Sequence, residues 1–359
     1  MRDIGKGMNK YILGSEQVFY DFVNSIYKKD KIGIVTHTDT DGLVSGILLQ
    51  KILESKELKV NFIEFLNYGP GALKEILNKK CDFLFFTDWD ADDYSKELEE
   101  VRKKSKFLVI DHHPLNENLK DKSNIIKTDF DYCSAHALFD LAKNGKYFDT
   151  RDLEWLVCAA IIMDYTWDKN PDNFELIKSI YPKVKKDNSI WESKPGKIGK
   201  SIANALIYYY PDIRRVYDLV LKEDISSLSK ANKIIKKEIT TGIEKFKKKA
   251  EYFPEQRLYF AYDNLKYNIV SVVASKLADE SFKENTVIFA SDIKDKKGFV
   301  KLSARNQTGK VDLGKLLKKC ISGFENSDAG GHVRASAGVI MKKDLNKFKE
   351  KLLLEMKSI

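Results

Sequence analysis

The 359-residue chain carries five histidines, and three of them stand with aspartates at the ends of apolar runs. His37 opens the string His37-Thr38-Asp39-Thr40-Asp41-Gly42, directly after the β-branched run Lys31–Thr36. Alternate residues of an extended chain share a face, so His37, Asp39 and Asp41 point to one side wherever that conformation persists. Gly42 then permits a tight turn into the apolar, helix-period segment Leu43–Leu53. A second run, Asp82–Thr87, leads into Asp88, and a third, Lys106–Ile110, into Asp111-His112-His113-Pro114. The apolar helical stretch Asp152–Tyr165 delivers Asp164 at its end. Carboxylates beside buried strand ends are costly unless paired or bound to cations. Aspartates with histidines form the ligand set of hard or borderline divalent metals. With no cysteine at these positions, manganese or magnesium fits better than structural zinc. Asp92 and Asp93 open a helix-like stretch and read as its capping residues.

These groups need a scaffold, and the first third of the chain alternates strand and helix patterns. Lys31–Thr36, Val60–Leu66, Asp82–Thr87, Lys106–Ile110 and Asn124–Lys127 read as strands, with helices at Leu43–Leu53, Pro70–Leu77 and Asp92–Lys103. This βαβα rhythm implies an α/β fold with a parallel, doubly wound sheet, which binds ligands beyond the carboxyl ends of its strands. From Ser134 to Leu221 the pattern is mainly helical, and His136 reads as structural. Residues 222–250 hold nine lysines and four acids, with Leu228, Ile235, Ile239 and Phe246 at near-helical spacing. That is a charged connecting helix with one apolar stripe. A smaller mixed α/β module follows from Gln256. The expected organisation is a first domain at 1–221, a helical linker at 222–255 and a second domain at 256–359.

The balance of 62 Lys+Arg against 53 Asp+Glu gives a formal charge of +9 and a pI near 9.0. Such a balance steers polyanions weakly, and most of the lysines read as ordinary solvated surface. Only eight residues are arginine, so an Arg inside a motif stands out. No apolar run reaches the ~18–20 residues of a membrane helix. The four cysteines have no CxxC spacing, and the N-terminus has no secretory pattern; both predict a reducing, cytoplasmic setting.

Taken together, HTDTDG, the aspartate of FFTDWD, the DHH triplet and the aspartate of IIMDYT resemble the four ordered motifs of the DHH phosphoesterase superfamily. Gly330-Gly331-His332-Val333-Arg334-Ala335 resembles the GGHxxA signature of the associated DHHA1 domain, and Ser303-Ala304-Arg305 its strand motif. The resemblance spans roughly residues 30 to 345. It implies two divalent metals about 3.5–4 Å apart, manganese with magnesium as the alternative. His37, Asp39 and Asp88 would hold one, and Asp41, Asp88, His112 and Asp164 the other, with Asp88 bridging. Asp111 would orient a ligand histidine from behind. Ser134 would lie near the site. Four carboxylates then balance two divalent cations, so a phosphate needs further donors: His113, Ser303, Arg305, Gly330, Gly331, His332 and Arg334.

The function implied is hydrolysis of phosphodiesters by metal-activated water in an interdomain cleft. The chain looks closer to the compact archaeal RecJ-like branch than to bacterial RecJ; RecJ-like members are exonucleases that degrade single-stranded DNA or RNA from an end. It is shorter than bacterial RecJ with its added oligonucleotide-binding domain. The alternative is a hydrolase of very short oligonucleotides or cyclic-dinucleotide products. A third reading is a non-catalytic replisome scaffold, which the complete set of acids disfavours. Expected partners are single-stranded nucleic acid or short oligonucleotides, together with replication or repair proteins, and no membrane.

Overall fold

The computed structural model describes residues 10–67, 71–116 and 121–357. Packing divides the chain into two units, one up to Ser229 and one from Lys230. Both are mixed α/β, and each is built on a six-stranded sheet.

The first sheet consists of β1 (Tyr11–Leu13), β2 (Ile32–His37), β3 (Val60–Leu66), β4 (Phe83–Thr87), β5 (Lys106–Asp111) and β6 (Ile125–Thr128). Its spatial order is β1-β6-β5-β4-β2-β3. Strands β2 to β6 are parallel, and β1 adds an antiparallel edge. All five residues of β4 are buried, as a continuous apolar run requires in a sheet covered on both faces. The chain moves outward from β2 to β3, then returns past β2 to begin β4. The strand order therefore reverses between β2 and β4, and a doubly wound sheet opens its binding crevice at such a point. His37 ends β2 and Asp88 follows β4, so the first and second motifs meet at that reversal.

Helix formation sharpens this placement. Asp39 caps the helix Thr40–Ser55, and its carboxylate accepts the Gly42 N–H at 2.9 Å. That helix is buried along most of its length, with Leu43, Leu48, Leu49, Ile52 and Leu53 fully inside. The expected helix at Pro70–Leu77 is shorter: Pro70 lies outside the described residues, and the helix runs Lys74–Leu77. Strand β1, three residues long, is too short to leave a period in the sequence.

The helix Ile225–Lys249 runs across the division between the units and buries its stripe of Leu228, Ile235, Ile239 and Phe246. The second sheet holds β7 (Glu251–Phe253), β8 (Leu258–Tyr262), β9 (Thr286–Asp292), β10 (Phe299–Arg305), β11 (Asp328–Gly331) and β12 (Ala335–Met341). Its order is β11-β12-β10-β9-β8-β7, antiparallel except for β8 beside β9. Helices Leu313–Ile321 and Leu345–Met356 close a core of Leu258, Ile288, Leu302, Leu317, Ile340 and Phe348. Among the described residues no helix is long and apolar enough to cross a membrane. All four cysteines are free and buried.

Candidate metal centre

His37, Asp39, Asp41, Asp88, His112 and Asp164 come together at the carboxyl ends of the parallel strands. Three overlapping groups have ligand atoms within 4.8 Å of one another: His37 with Asp39 and Asp88; Asp41 with His112 and Asp164; and Asp88 with His112 and His113. The extended chain stops at His37, so strand alternation is not what aligns the first motif. Asp39 is instead the helix cap, half exposed, and Asp41 lies buried in the first helical turn.

Each side chain is held by a specific neighbour. His37 Nδ1 lies 2.9 Å from Asp39 Oδ2. Asp41 accepts the backbone N–H of Ser134 on Oδ2 and that of Ala135 on Oδ1, both at 2.9 Å. These donors open the helix Ser134–Asn144, whose N-terminal dipole favours a carboxylate. Asp88 adopts a left-handed backbone, φ 51°, an uncommon conformation that recurs at functional sites. Its Oδ1 accepts the Ser134 hydroxyl at 3.3 Å and lies 3.4 Å from His112 Nε2. His112 Nδ1 donates to the Phe130 carbonyl at 2.9 Å, which fixes the tautomer and leaves Nε2 as the lone-pair nitrogen facing the carboxylates. Asp164 caps the end of the helix Glu154–Met163, with Oδ2 3.8 Å from His112 Nδ1.

The electrostatics are those of an uncompensated acidic cluster. Burial, then the charges of Asp41, Asp39 and Asp164, push the Asp88 carboxyl well above the usual range. Burial and Asp41 push Asp164 up to about 8. Burial also raises Asp41, with His112 opposing and Asp39 adding to the shift. Partial desolvation disfavours the charge on the half-exposed Asp39 too, yet His37 and the Gly42 N–H outweigh it and hold that carboxyl below the usual range. Two oxygens, Asp88 Oδ2 and Asp164 Oδ2, are buried without a hydrogen-bond partner. Among the described residues, no Lys or Arg forms an ion pair with Asp39, Asp41, Asp88 or Asp164.

Asp111 Oδ1 meets His113 Nδ1 at 2.8 Å, so the histidine it orients is the second of the triplet. One sequence expectation is corrected. Asp92 is more than a capping residue: it is fully buried and lies 2.8 Å from the Lys127 ammonium. Ser134, expected near the site, bonds Asp41 and Asp88, whereas Lys127, Phe130 and Ala135 carry no motif that marks them in the sequence. His136 is structural, bonded through Nδ1 to Asn173 at 2.6 Å and stacked on Tyr132.

In the second unit, Ser303 and Arg305 lie on β10 and Gly330-Gly331 on the neighbouring β11–β12 hairpin. Arg305 donates to the Ser275 hydroxyl at 2.8 Å and to the Ala304 and Ser336 carbonyls. The Ser303 hydroxyl is buried with no partner. The backbones of His332 and Ala335 bond each other across a tight turn that leaves His332 and Arg334 exposed. Gly331 sits at φ 138°, and a Cβ there would lie 2.5 Å from the Ala335 carbonyl oxygen.

Residues 31–173 match the model of the DHH family, N-terminal domain. No curated protein matches it by sequence search. Solved structures show the fold. An exonuclease RecJ bound to manganese superposes with a TM-score of 0.73 at 15% identity, covering 96% of this chain and 94% of that one. RecJ from Thermus thermophilus, in complex with Mn2+, gives 0.71 at 14% identity over 96% of this chain. This chain spans about half of that protein's length, 55%. CDC45 from Entamoeba histolytica gives 0.61 at 14% identity, covering 96% of this chain and 98% of that one. The fold is thus one that these RecJ and CDC45 structures share.

Proposed function

We propose that this chain is a metal-dependent phosphodiesterase, a RecJ-like exonuclease that hydrolyses single-stranded DNA or RNA from an end. The observation that carries this reading is the pair of buried oxygens on Asp88 and Asp164 that have no hydrogen-bond partner, inside a cluster with which, among the described residues, no lysine or arginine forms an ion pair. Buried carboxylates in that state call for cations, and an all-oxygen and imidazole donor set suits Mn2+ or Mg2+. His37, Asp39 and Asp88 would hold one ion, and Asp41, Asp88, His112 and Asp164 a second. Ions there supply positive charge for the phosphoryl oxygens and acidify an attacking water.

The chain's own residues do the rest. The Ser134 and Ala135 amides hold Asp41 rigid. The Phe130 carbonyl keeps the His112 Nε2 lone pair toward the carboxylates. Asp111 holds His113 by Nδ1, so Nε2 is the ring atom that hydrogen-bonds a phosphoryl oxygen or transfers a proton there. Ser303, Arg305, Gly330, Gly331, His332 and Arg334 would bind the substrate's phosphates. In this reading the DHH domain, 1–221, carries the chemistry, 222–255 links, and a DHHA1-like domain, 256–359, binds substrate in the cytoplasm.

The test is hydrolysis of end-labelled single-stranded DNA and RNA of several lengths with Mn2+ or Mg2+. A ladder shortening from one end supports the exonuclease. Turnover confined to two- to five-mers, or to cyclic-dinucleotide products, selects the short-oligonucleotide hydrolase. Tight binding of a replication protein with no hydrolysis would place the chain with scaffolds, a reading kept open by the fold it shares with CDC45.

A further inference from the structure

A fourth acidic group, Asp90, Asp92 and Asp111, has ligand atoms as close together as the other three, but it already contains a cation. Lys127, on β6 and directly opposite Asp111 in the sheet register, is fully buried. Its ammonium lies 2.7 Å from Asp111 Oδ2, 3.0 Å from Asp90 Oδ1 and 2.8 Å from Asp92 Oδ1. It also lies 3.4 Å from the Pro114 carbonyl oxygen. Asp92 in turn accepts the Asn116 N–H on Oδ2 at 2.8 Å, and its carbonyl accepts the Asn116 side-chain amide. One ammonium therefore ties the segment after β4, the end of β5, strand β6 and the loop His113–Asn116 to a single point.

We propose that Lys127 is a positioning residue: by clamping Asp111 Oδ2 and, through Asp92, the loop that follows, it makes Asp111 Oδ1 present a fixed acceptor to His113 and so sets that imidazole for phosphoryl transfer. This rests on the phosphodiesterase reading for its consequence, while the clamp itself stands on geometry. Asp111 has two oxygens; Oδ2 accepts the ammonium at 2.7 Å and the His113 backbone N–H at 3.2 Å, and Oδ1 faces the His113 ring. Without the ammonium, Asp111 is a buried carboxylate facing two others, and the 3.2 Å bond from the His113 backbone N–H is left to hold Oδ2. Burial disfavours a charge on Lys127, yet Asp111, Asp90 and Asp92 together outweigh it and favour the ammonium. A divalent ion in this group would need the space the ammonium fills, which separates it from the empty-handed carboxylates of the metal centre.

The experiment compares wild type with Lys127→Met, which keeps the length and removes the charge. The first readout needs no turnover: the downfield proton resonance of His113 Nδ1–H, assigned by its loss in His113→Gln. It should disappear or move far upfield in Lys127→Met. The second is the kcat and KM split on single-stranded oligonucleotide with Mn2+. The kcat should fall by about 10–100-fold, the usual effect of losing a group that orients a site residue, with KM little changed. If Lys127→Met does not fold, Lys127→Gln carries the same readouts, and its amide, which can donate to Asp111, should retain more of both. A folded variant that keeps the resonance, or keeps wild-type kcat, overturns the proposal, as does a loss confined to KM. Wild type without hydrolysis would remove the phosphodiesterase reading alone, and the resonance would still decide the clamp.

Discussion

Stripped of divalent cations, the first unit should lose stability as pH rises from about 5 to 8, and added Mn2+ should reverse that trend. The Asp164 carboxyl moves from an ordinary 3.8 to about 8 on folding. The folded state therefore binds its proton more tightly than the unfolded chain. That advantage is full below about pH 4 and is lost as pH climbs through the folded value. A gap of about four pH units at ~1.4 kcal/mol each sets a ceiling of roughly 5–6 kcal/mol. Asp88 shifts in the same direction and adds to the loss. His37 and His112, whose pKa values Asp39 and Asp164 raise against the effect of burial, also lose stabilisation as pH rises. Asp39 and Asp111, held low, have their stabilisation complete by about pH 5 and contribute no slope above it. Only His136, which burial keeps neutral, opposes the trend, gaining as pH rises to about 6.5. At about 2–4 °C per kcal/mol for a unit of this length, the melting temperature should fall by at least ~5 °C across the window. Trp89, Trp155, Trp167 and Trp191 all lie before Ser229, so tryptophan fluorescence during thermal unfolding follows this unit alone. Because bound metal needs deprotonated carboxylates, the Mn2+-induced rise in Tm should grow with pH. Asp164→Asn should flatten the metal-free slope. A metal-free Tm that is level or rising from pH 5 to 8, or a Mn2+ shift independent of pH, would refute the reasoning.

Three substitutions probe the scaffold around the site. Gly42→Ala would put a Cβ 2.5 Å from the His37 carbonyl oxygen and 2.8 Å from its nitrogen; it should cost roughly 1–3 kcal/mol in urea unfolding and cut Mn2+ affinity, as measured by titration calorimetry. Asp41→Ala strands the Ser134 and Ala135 amides but relieves repulsion within the cluster. It should therefore reduce Mn2+ binding sharply while leaving the metal-free Tm at pH 8 nearly unchanged. Gly331→Ala forces a side chain onto a left-handed backbone against the Ala335 carbonyl. It should lower the stability of the second unit by roughly 1–3 kcal/mol by circular dichroism and raise KM more than it lowers kcat.

The parts of this architecture that were legible in the sequence are those that leave a period or a punctuation mark. Strands β4 and β5 are continuous apolar runs ending in Asp or Asp-His, because a strand buried on both faces must be apolar until it reaches the sheet's edge. That rule placed Asp88, Asp111 and His112 at one end of the sheet. The first motif converges for a different reason from strand alternation, since a helix cap interrupts the extended chain at Asp39. What the sequence could not display is pairing across long separations. Lys127 sits in a four-residue strand where its charge looks like ordinary polarity, and only the register against Asp111 makes it the counter-ion of three carboxylates. Backbone partners are equally silent: the Phe130 carbonyl and the Ser134 and Ala135 amides act through groups every residue carries.

If the aspartate–histidine cluster holds divalent cations for phosphodiester hydrolysis, Asp88, in reach of both proposed positions, is its most exacting member. Turnover of end-labelled single-stranded oligonucleotide by wild type and by Asp88→Asn, each with saturating Mn2+ and each shown to be folded by its thermal transition, tests it most directly. Wild type should shorten the oligonucleotide only with metal, and Asp88→Asn should lose at least about a thousandfold in rate. Equal turnover by the two proteins, or wild-type hydrolysis that survives removal of all divalent metal, would contradict it.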